Sequence, residues 1–233
     1  MTAPRTDARA KAKRAGRQAA AWLVAGLVLA APLEARATAP GGLEGARPWW
    51  GLSFLAGSAQ PDAGMADYQW DVRPHAAFGA ELLAGRGPWA AGVRFGAGGT
   101  TQALGLAGVA DARVNLTRVE LVTRARFARV WNVGLLATAS AGRLGLSYRP
   151  DRVTVDAGGT PIEVALAPIH TPVVGGGIGF EGPLTAGWGW GAGLERRWFA
   201  LDTAHRSGSN VVLTRETFGD WDAHLSLSRA WPW

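Results

Sequence analysis

From residue 48 onward the chain alternates between bulky apolar residues and small or polar ones, in eight separate stretches. A period of two is the mark of a strand with two different faces. "WWGLSFLAG" sets Trp50, Leu52, Phe54 and Ala56 against Gly51, Ser53 and Gly57, and "AAFGAELLAG" sets Phe78 and Leu82 against Gly79, Glu81 and Gly85. "WAAGVRFGAG" opposes Trp89, Val93 and Phe95 to Gly92, Arg94 and Gly96, and "RVELVTRARF" opposes Val119, Leu121 and Phe127 to Arg118, Glu120, Arg124 and Arg126. "WNVGLLATASAG" contrasts Trp131, Val133 and Leu135 with Asn132, Gly134 and Ser140, and "VVGGGIGFEG" contrasts Val174, Ile178 and Phe180 with Gly175, Gly177 and Glu181. "WGWGAGLE" places Trp188, Trp190 and Leu194 against Gly189, Gly191 and Glu195. The last stretch runs to Trp233, with Trp221, Leu225 and Leu227 against Asp222, His224 and Ser226. No stretch reads as a long amphipathic helix.

The spacers alternate in length. "RGP" (Arg86–Pro88), "AR" and "PLT" are tight, whereas 58–74, 99–115, 143–171 and 197–217 are long and hold most turn formers. Eight alternating segments, short turns at one end and long loops at the other describe an all-β, eight-stranded antiparallel up-and-down transmembrane barrel. A soluble barrel of the same strand number would place its apolar side chains inward. Here the second face is glycine, serine and charge, which suits a narrow lumen and makes a poor water-facing exterior. Tryptophans favour the membrane as well: Trp50, Trp89, Trp131 and Trp188 open odd-numbered segments, and Trp231 and Trp233 close the last. In an up-and-down meander these positions share one rim, as an interfacial aromatic girdle does.

The first 37 residues read differently. Seven basic side chains and two acids surround "QAAAWLVAGLVLAAP", and small residues follow in "ARATA". This is the three-part layout of a secretory signal peptide, with cleavage expected after Ala37 and a mature barrel domain over 38–233. Most of the net charge of +6 belongs to this leader; the remainder holds 17 arginines, 16 acids and no lysine. A nucleic-acid partner is therefore not expected. There are no cysteines, so disulfides and thiolate metal sites are excluded.

From these residues the chain resembles the small outer-membrane barrels of Gram-negative bacteria, the OmpA/OmpX type, over roughly 48–233. The resemblance implies residence in the cell outer membrane as a monomer, surrounded by membrane lipid and lipopolysaccharide. It also implies that the assembly machinery reads the terminal strand, with Leu225, Leu227, Trp231 and Trp233 as its signal. Pro232, and Arg229 on the apolar register, depart from that pattern. An unknown extracellular ligand for the loops completes the expected partners.

The polar register collects Glu81, Arg94, Arg118, Glu120, Arg124, Arg126, Glu181, Glu195 and Asp222. Charges withdrawn from water need partners, so a salt-bridged plug is expected; a narrow passive channel is the alternative. His224 and Ser226 resemble the His-x-Ser pair of barrels that deacylate lipid A, but there the pair meets lipid outside the barrel, and the acid that follows it has no counterpart here. A lipid-modifying enzyme is thus the third reading, and no catalytic residue is expected. His75, His170 and His205 are scattered, and "VVGGGIGFEG" lacks the Gly-Lys-Ser/Thr of a phosphate loop, so neither metal nor cofactor is expected. The function expected is a structural or surface-interaction role carried by the loops, without catalysis.

Overall fold

The computed structural model describes residues 48–105, 109–156, 158–185, 187–207 and 210–232. The expected leader and Trp233 lie outside these, as does the side chain of His205. Among the described residues ten strands follow in chain order: β1 (Trp49–Pro61), β2 (His75–Arg86), β3 (Trp89–Gln102), β4 (Ala112–Val130), β5 (Val133–Arg149), β6 (Arg152–Asp156), β7 (Pro161–Ala165), β8 (Ile169–Pro183), β9 (Trp188–Ser207) and β10 (Asn210–Pro232). Eight of them close into an antiparallel ring in the order β1-β10-β9-β8-β5-β4-β3-β2, while β6 and β7 form a separate hairpin. Closure leaves no free edge among the eight, so every strand of the wall is paired on both sides.

The alternation sets the two faces of the wall. Phe54, Phe78, Leu82, Phe95, Leu121, Ile178 and Leu225 stand exposed on the outside, and Ser53, Glu81, Arg94, Glu120 and Glu195 are buried within. An apolar exterior around a polar interior is stable only where the surroundings are hydrocarbon.

Further along the strands the polarity inverts. On β5 the outward Leu135, Ala137, Ala139 and Ala141 give way to Arg143, Ser147 and Arg149. The inward side chains change from Thr138 and Ser140 to the buried Leu144 and Leu146. This end of the barrel is built like a water-soluble one, with an apolar core of Val114, Leu144, Leu146, Val173, Phe199, Leu201 and Phe218.

The long loops are consequently shorter than expected. The 197–217 loop is mostly strand, since β9 and β10 remain paired up to Ser207 and Asn210. Residues 143–171 contain the end of β5, the β6–β7 hairpin and the start of β8. Residues 99–115 contain the end of β3 and the start of β4, and 58–74 contain a 3-10 turn, Ala63–Tyr68. At ~10 residues per membrane crossing, the 20 residues of β9 and 23 of β10 carry that hairpin well beyond the bilayer.

The segment with the 3-10 turn straps the mouth. Asp62 caps the turn by accepting from Gly64 N at 2.9 Å and takes Gly219 N of β10 at 3.2 Å. Tyr68 donates to Glu216 of β10 at 2.8 Å, and Gln102 of β3 donates to Tyr68 O at 3.1 Å. Between these ties Met65 and Trp70 are buried in the apolar core.

Candidate functional site

The middle of the barrel holds a network of ionised groups spanning from wall to wall. Glu81, Arg94 and Glu120 are direct cross-strand neighbours on β2, β3 and β4, so alternate charges sit side by side. From β3, Arg94 reaches across the lumen to Glu195 on β9, with Nη1 and Nη2 donating at 2.5 and 2.8 Å, while its Nε donates to Glu81 at 2.7 Å. Arg118 on β4 crosses to Asp222 on β10 at 2.9 Å. Arg124 donates to the second oxygen of Glu81 at 2.8 Å. The forks of Arg94 and Arg118 each serve two acids, Glu81 and Glu195 for the first and Asp220 and Asp222 for the second.

Arg197, absent from the expected set, is the hub. Its guanidinium lies 3.2 Å from Glu120, 2.8 Å from Glu195 and 2.9 Å from Asp222, at 2% side-chain exposure. Asp222 and Glu195 are themselves cross-strand partners, a like-charge pair that Arg197 and Arg94 neutralise. Two groups outside the nine expected charges join the network: Arg118 lies 3.4 Å from Asp220, and Asp222 Oδ1 lies 3.1 Å from His224 Nδ1. Arg126 and Glu181 form a separate, partly exposed pair nearer the short turns. Thus all nine expected charges face inward, seven of them in the central network and two apart from it.

His224 does acquire an acid partner, one that precedes it in sequence. Among the described residues no hydrogen bond joins it to Ser226. Instead a Cβ on Gly193 would stand 2.7 Å from His224 Nε2; glycine there makes space for the imidazole inside the lumen. The pair does not face lipid.

The expected aromatic positions cluster at the end with the short turns. Trp50 stacks on Trp231 at 4.4 Å between centroids, and the Arg229 guanidinium lies 5.5 Å from both Trp188 and Trp231. Arg229 is thus held against ring faces at the rim rather than left in hydrocarbon. Trp89 is exposed at the start of β3. Trp131 does not open β5: it sits in the β4–β5 turn with φ 52° and is 92% exposed. Leu225 and Leu227 point outward on β10. At the opposite end of the apolar belt Trp221 carries Arg196 over its ring at 5.0 Å, an interfacial pairing that was not anticipated.

Outside the strands, Asp71 accepts a forked pair of bonds from Arg73, whose guanidinium holds its carboxyl down at about 2. Among the described residues no group of three or more His, Cys, Asp or Glu is placed to hold a metal ion.

A closed antiparallel barrel with a lipid-compatible exterior, a charged interior and aromatic residues at the belt's edges is an outer-membrane barrel. No protein-family model matches the chain, and no curated protein matches it. Among solved structures it is similar to Neisserial surface protein A, at 9% identity over 78% of this chain and 96% of that one, with a TM-score of 0.47. It is also similar to the outer membrane protein AlkL, at 10% identity over 81% and 92%, with a TM-score of 0.44. A third is Ail, the attachment invasion locus protein of Yersinia pestis, at 13% identity over 78% and 98%, with a TM-score of 0.38. Likeness this distant says nothing of function.

Proposed function

We propose that this outer-membrane barrel is closed to solutes and works at the cell surface, through the parts that project beyond the bilayer. The observation that carries the reading is the interior itself. Arg94, Glu120, Glu195 and Arg197 have side-chain exposures of 3% or less, and they tie opposite walls together where eight strands leave space only for side chains. Above them lies an apolar core, and above that the 62–74 strap. A solute would have to break buried ion pairs and then cross an apolar layer. The projecting parts are the β9–β10 hairpin and the β6–β7 hairpin, where Val153 and Val155 pair with Val164 and Ile162 on one face.

Planar-bilayer recording tests the closed interior. Purified protein is expected to show no steady conductance, whereas Arg94→Ala combined with Arg197→Ala, if folded, opens intermittent leaks. Large stable wild-type channels would return the function to a passive conduit. Cells in which 152–165 is replaced by a glycine-serine linker test the surface role, and are expected to lose adhesion or ligand binding while the barrel still inserts.

A further inference from the structure

Above the apolar belt, the outer wall of β4 and β5 descends in cross-strand pairs: Arg113 opposite Arg149, Asn115 opposite Ser147, Thr117 opposite Gly145, Val119 opposite Arg143. All three arginines are exposed. Among the described residues none of them forms an ion pair; Asp111 and Asp151, at the strand tips, carry charge but do not engage them. Among the described residues, other cations beyond the belt are matched. Arg215 lies 3.5 Å from Asp202, Arg152 lies 3.2 Å from Glu163, and Arg196 covers Trp221 with Asp62 at 3.9 Å. Like charges placed directly across an antiparallel pair repel, so Arg113 and Arg149 form a position waiting for an anion.

Between these arginines Gly145 lies opposite Thr117 on one side and His170 on the other. A Cβ on Gly145 would stand 2.9 Å from Thr117 Oγ1 and 3.3 Å from His170 Nδ1. The space a side chain would take at Gly145 is already filled by the Thr117 hydroxyl, which donates to Gly145 O at 3.4 Å, and by the His170 imidazole, so two hydrogen-bonding groups close over the glycine. Along β5, Arg143 lies about 7 Å below Gly145 and Arg149 about 13 Å above it. Below Arg143 the outward residues become Ala141, Leu121 and Val174, which face hydrocarbon. The row of cations therefore starts at the edge of the acyl layer and rises through the depth of lipid headgroups.

We propose that the β4–β5–β8 wall binds the phosphorylated sugar headgroup of an outer-leaflet glycolipid. Arg113 and Arg149 share one phosphate, Arg143 takes a second acidic group next to the acyl chains, and the exposed Thr117 and His170 bond sugar hydroxyls between them. Guanidinium forks suit phosphate oxygens in this way. A lipid is the chosen source because the row runs down to the apolar belt, which a soluble anion has no reason to follow. The site belongs to the barrel wall and stands whether or not the loops bind a partner.

Native mass spectrometry of the detergent-purified full chain tests it, with bisphosphorylated lipid A, its dephosphorylated form and inorganic phosphate as probes. Wild type is expected to retain one bisphosphorylated lipid. Arg113→Gln with Arg149→Gln, and separately Gly145→Val, weaken retention about tenfold or more, and the dephosphorylated lipid binds wild type correspondingly less. Arg152→Gln, whose arginine is already paired with Glu163, leaves retention unchanged. Heat-dependent gel mobility checks folding first; if the double variant does not fold, Gly145→Val carries the test. Equal retention by folded variants, or by the dephosphorylated lipid, overturns the proposal. Complete displacement of lipid by inorganic phosphate overturns the lipid assignment and leaves a free-anion site.

Discussion

Arg94→Ala is the sharpest probe of the interior. The substitution removes the guanidinium that donates to Glu195 at 2.5 and 2.8 Å and to Glu81 at 2.7 Å, at 3% side-chain exposure. Glu81 keeps Arg124 at 2.8 Å and Glu195 keeps Arg197 at 2.8 Å, so neither carboxylate is stranded entirely. Hydrogen bonds to charged groups are each worth ~1.5–3 kcal/mol, and breaking a buried pair from one side typically costs ~3–5 kcal/mol. With three bonds lost and two partners retained, a loss of about 4 kcal/mol is expected. Urea unfolding in lipid vesicles, followed by tryptophan fluorescence and gel mobility, reads this directly. Arg149→Ala, an exposed position on the outer wall, is the control and is expected to stay within ~0.5 kcal/mol of wild type. A double-mutant cycle with Glu195→Gln isolates the pair, with a coupling of ~1–3 kcal/mol expected. If Arg94→Ala costs less than ~1 kcal/mol, or the coupling is zero, the interior charges are hydrated and the plug argument fails.

Gly193→Val drives a side chain into the ring of His224 and is expected to destabilise the barrel by ~1–3 kcal/mol in the same unfolding assay. Trp70→Ala removes a buried roof side chain and is expected to cost ~3–5 kcal/mol, yet to leave bilayer conductance at zero because the ion network beneath is intact. The Asp71 carboxyl is depressed to about 2 by Arg73, so its clasp is fully present above the ordinary carboxylate range and is lost as pH falls through about 2. An NMR titration of Asp71 is expected to show no protonation at pH 4. Protease added to intact cells is expected to cut within 151–159 and spare Arg86–Pro88, as mass spectrometry of the fragments would show; the reverse order would invert the proposed orientation.

What could be read from the residue order follows from where the two faces contrast. Within the belt, Leu52 and Phe54 outside against Ser53 inside leave no ambiguity about direction. Beyond the belt the apolar set moves from the outer to the inner face, as Arg143, Leu144, Gly145 and Leu146 show. A single phase does not continue through that crossing, so alternation alone ends β5 and β9 early. The doublet Arg196–Arg197 sits at the same crossing. One arginine turns out onto Trp221 and the other inward to three acids, and adjacent identical residues carry no hint of which does which. Asp220 and His224 were missed as charge partners because their role comes from β4 and from the neighbouring Asp222, relations that alternation along one strand does not contain. The Arg113–Arg149 opposition depends on the β4–β5 register, which no single strand reveals.

The wall-to-wall arginines have a consequence for assembly fidelity. Arg94 meets Glu195 across 101 residues of chain and Arg118 meets Asp222 across 104, so neither tie can exist until the ring has shut. Side chains alternate strictly along a strand, and a slip of one residue where β1 meets β10 would turn Asp222 and His224 out toward hydrocarbon. A slip of two would keep them inside but carry Asp222 about 7 Å from Arg118, beyond the reach of their present bond. Neither misregistered ring satisfies its own buried ions, so the network doubles as a proofreading device: it rewards one closure and leaves every neighbouring closure with unpaired charge.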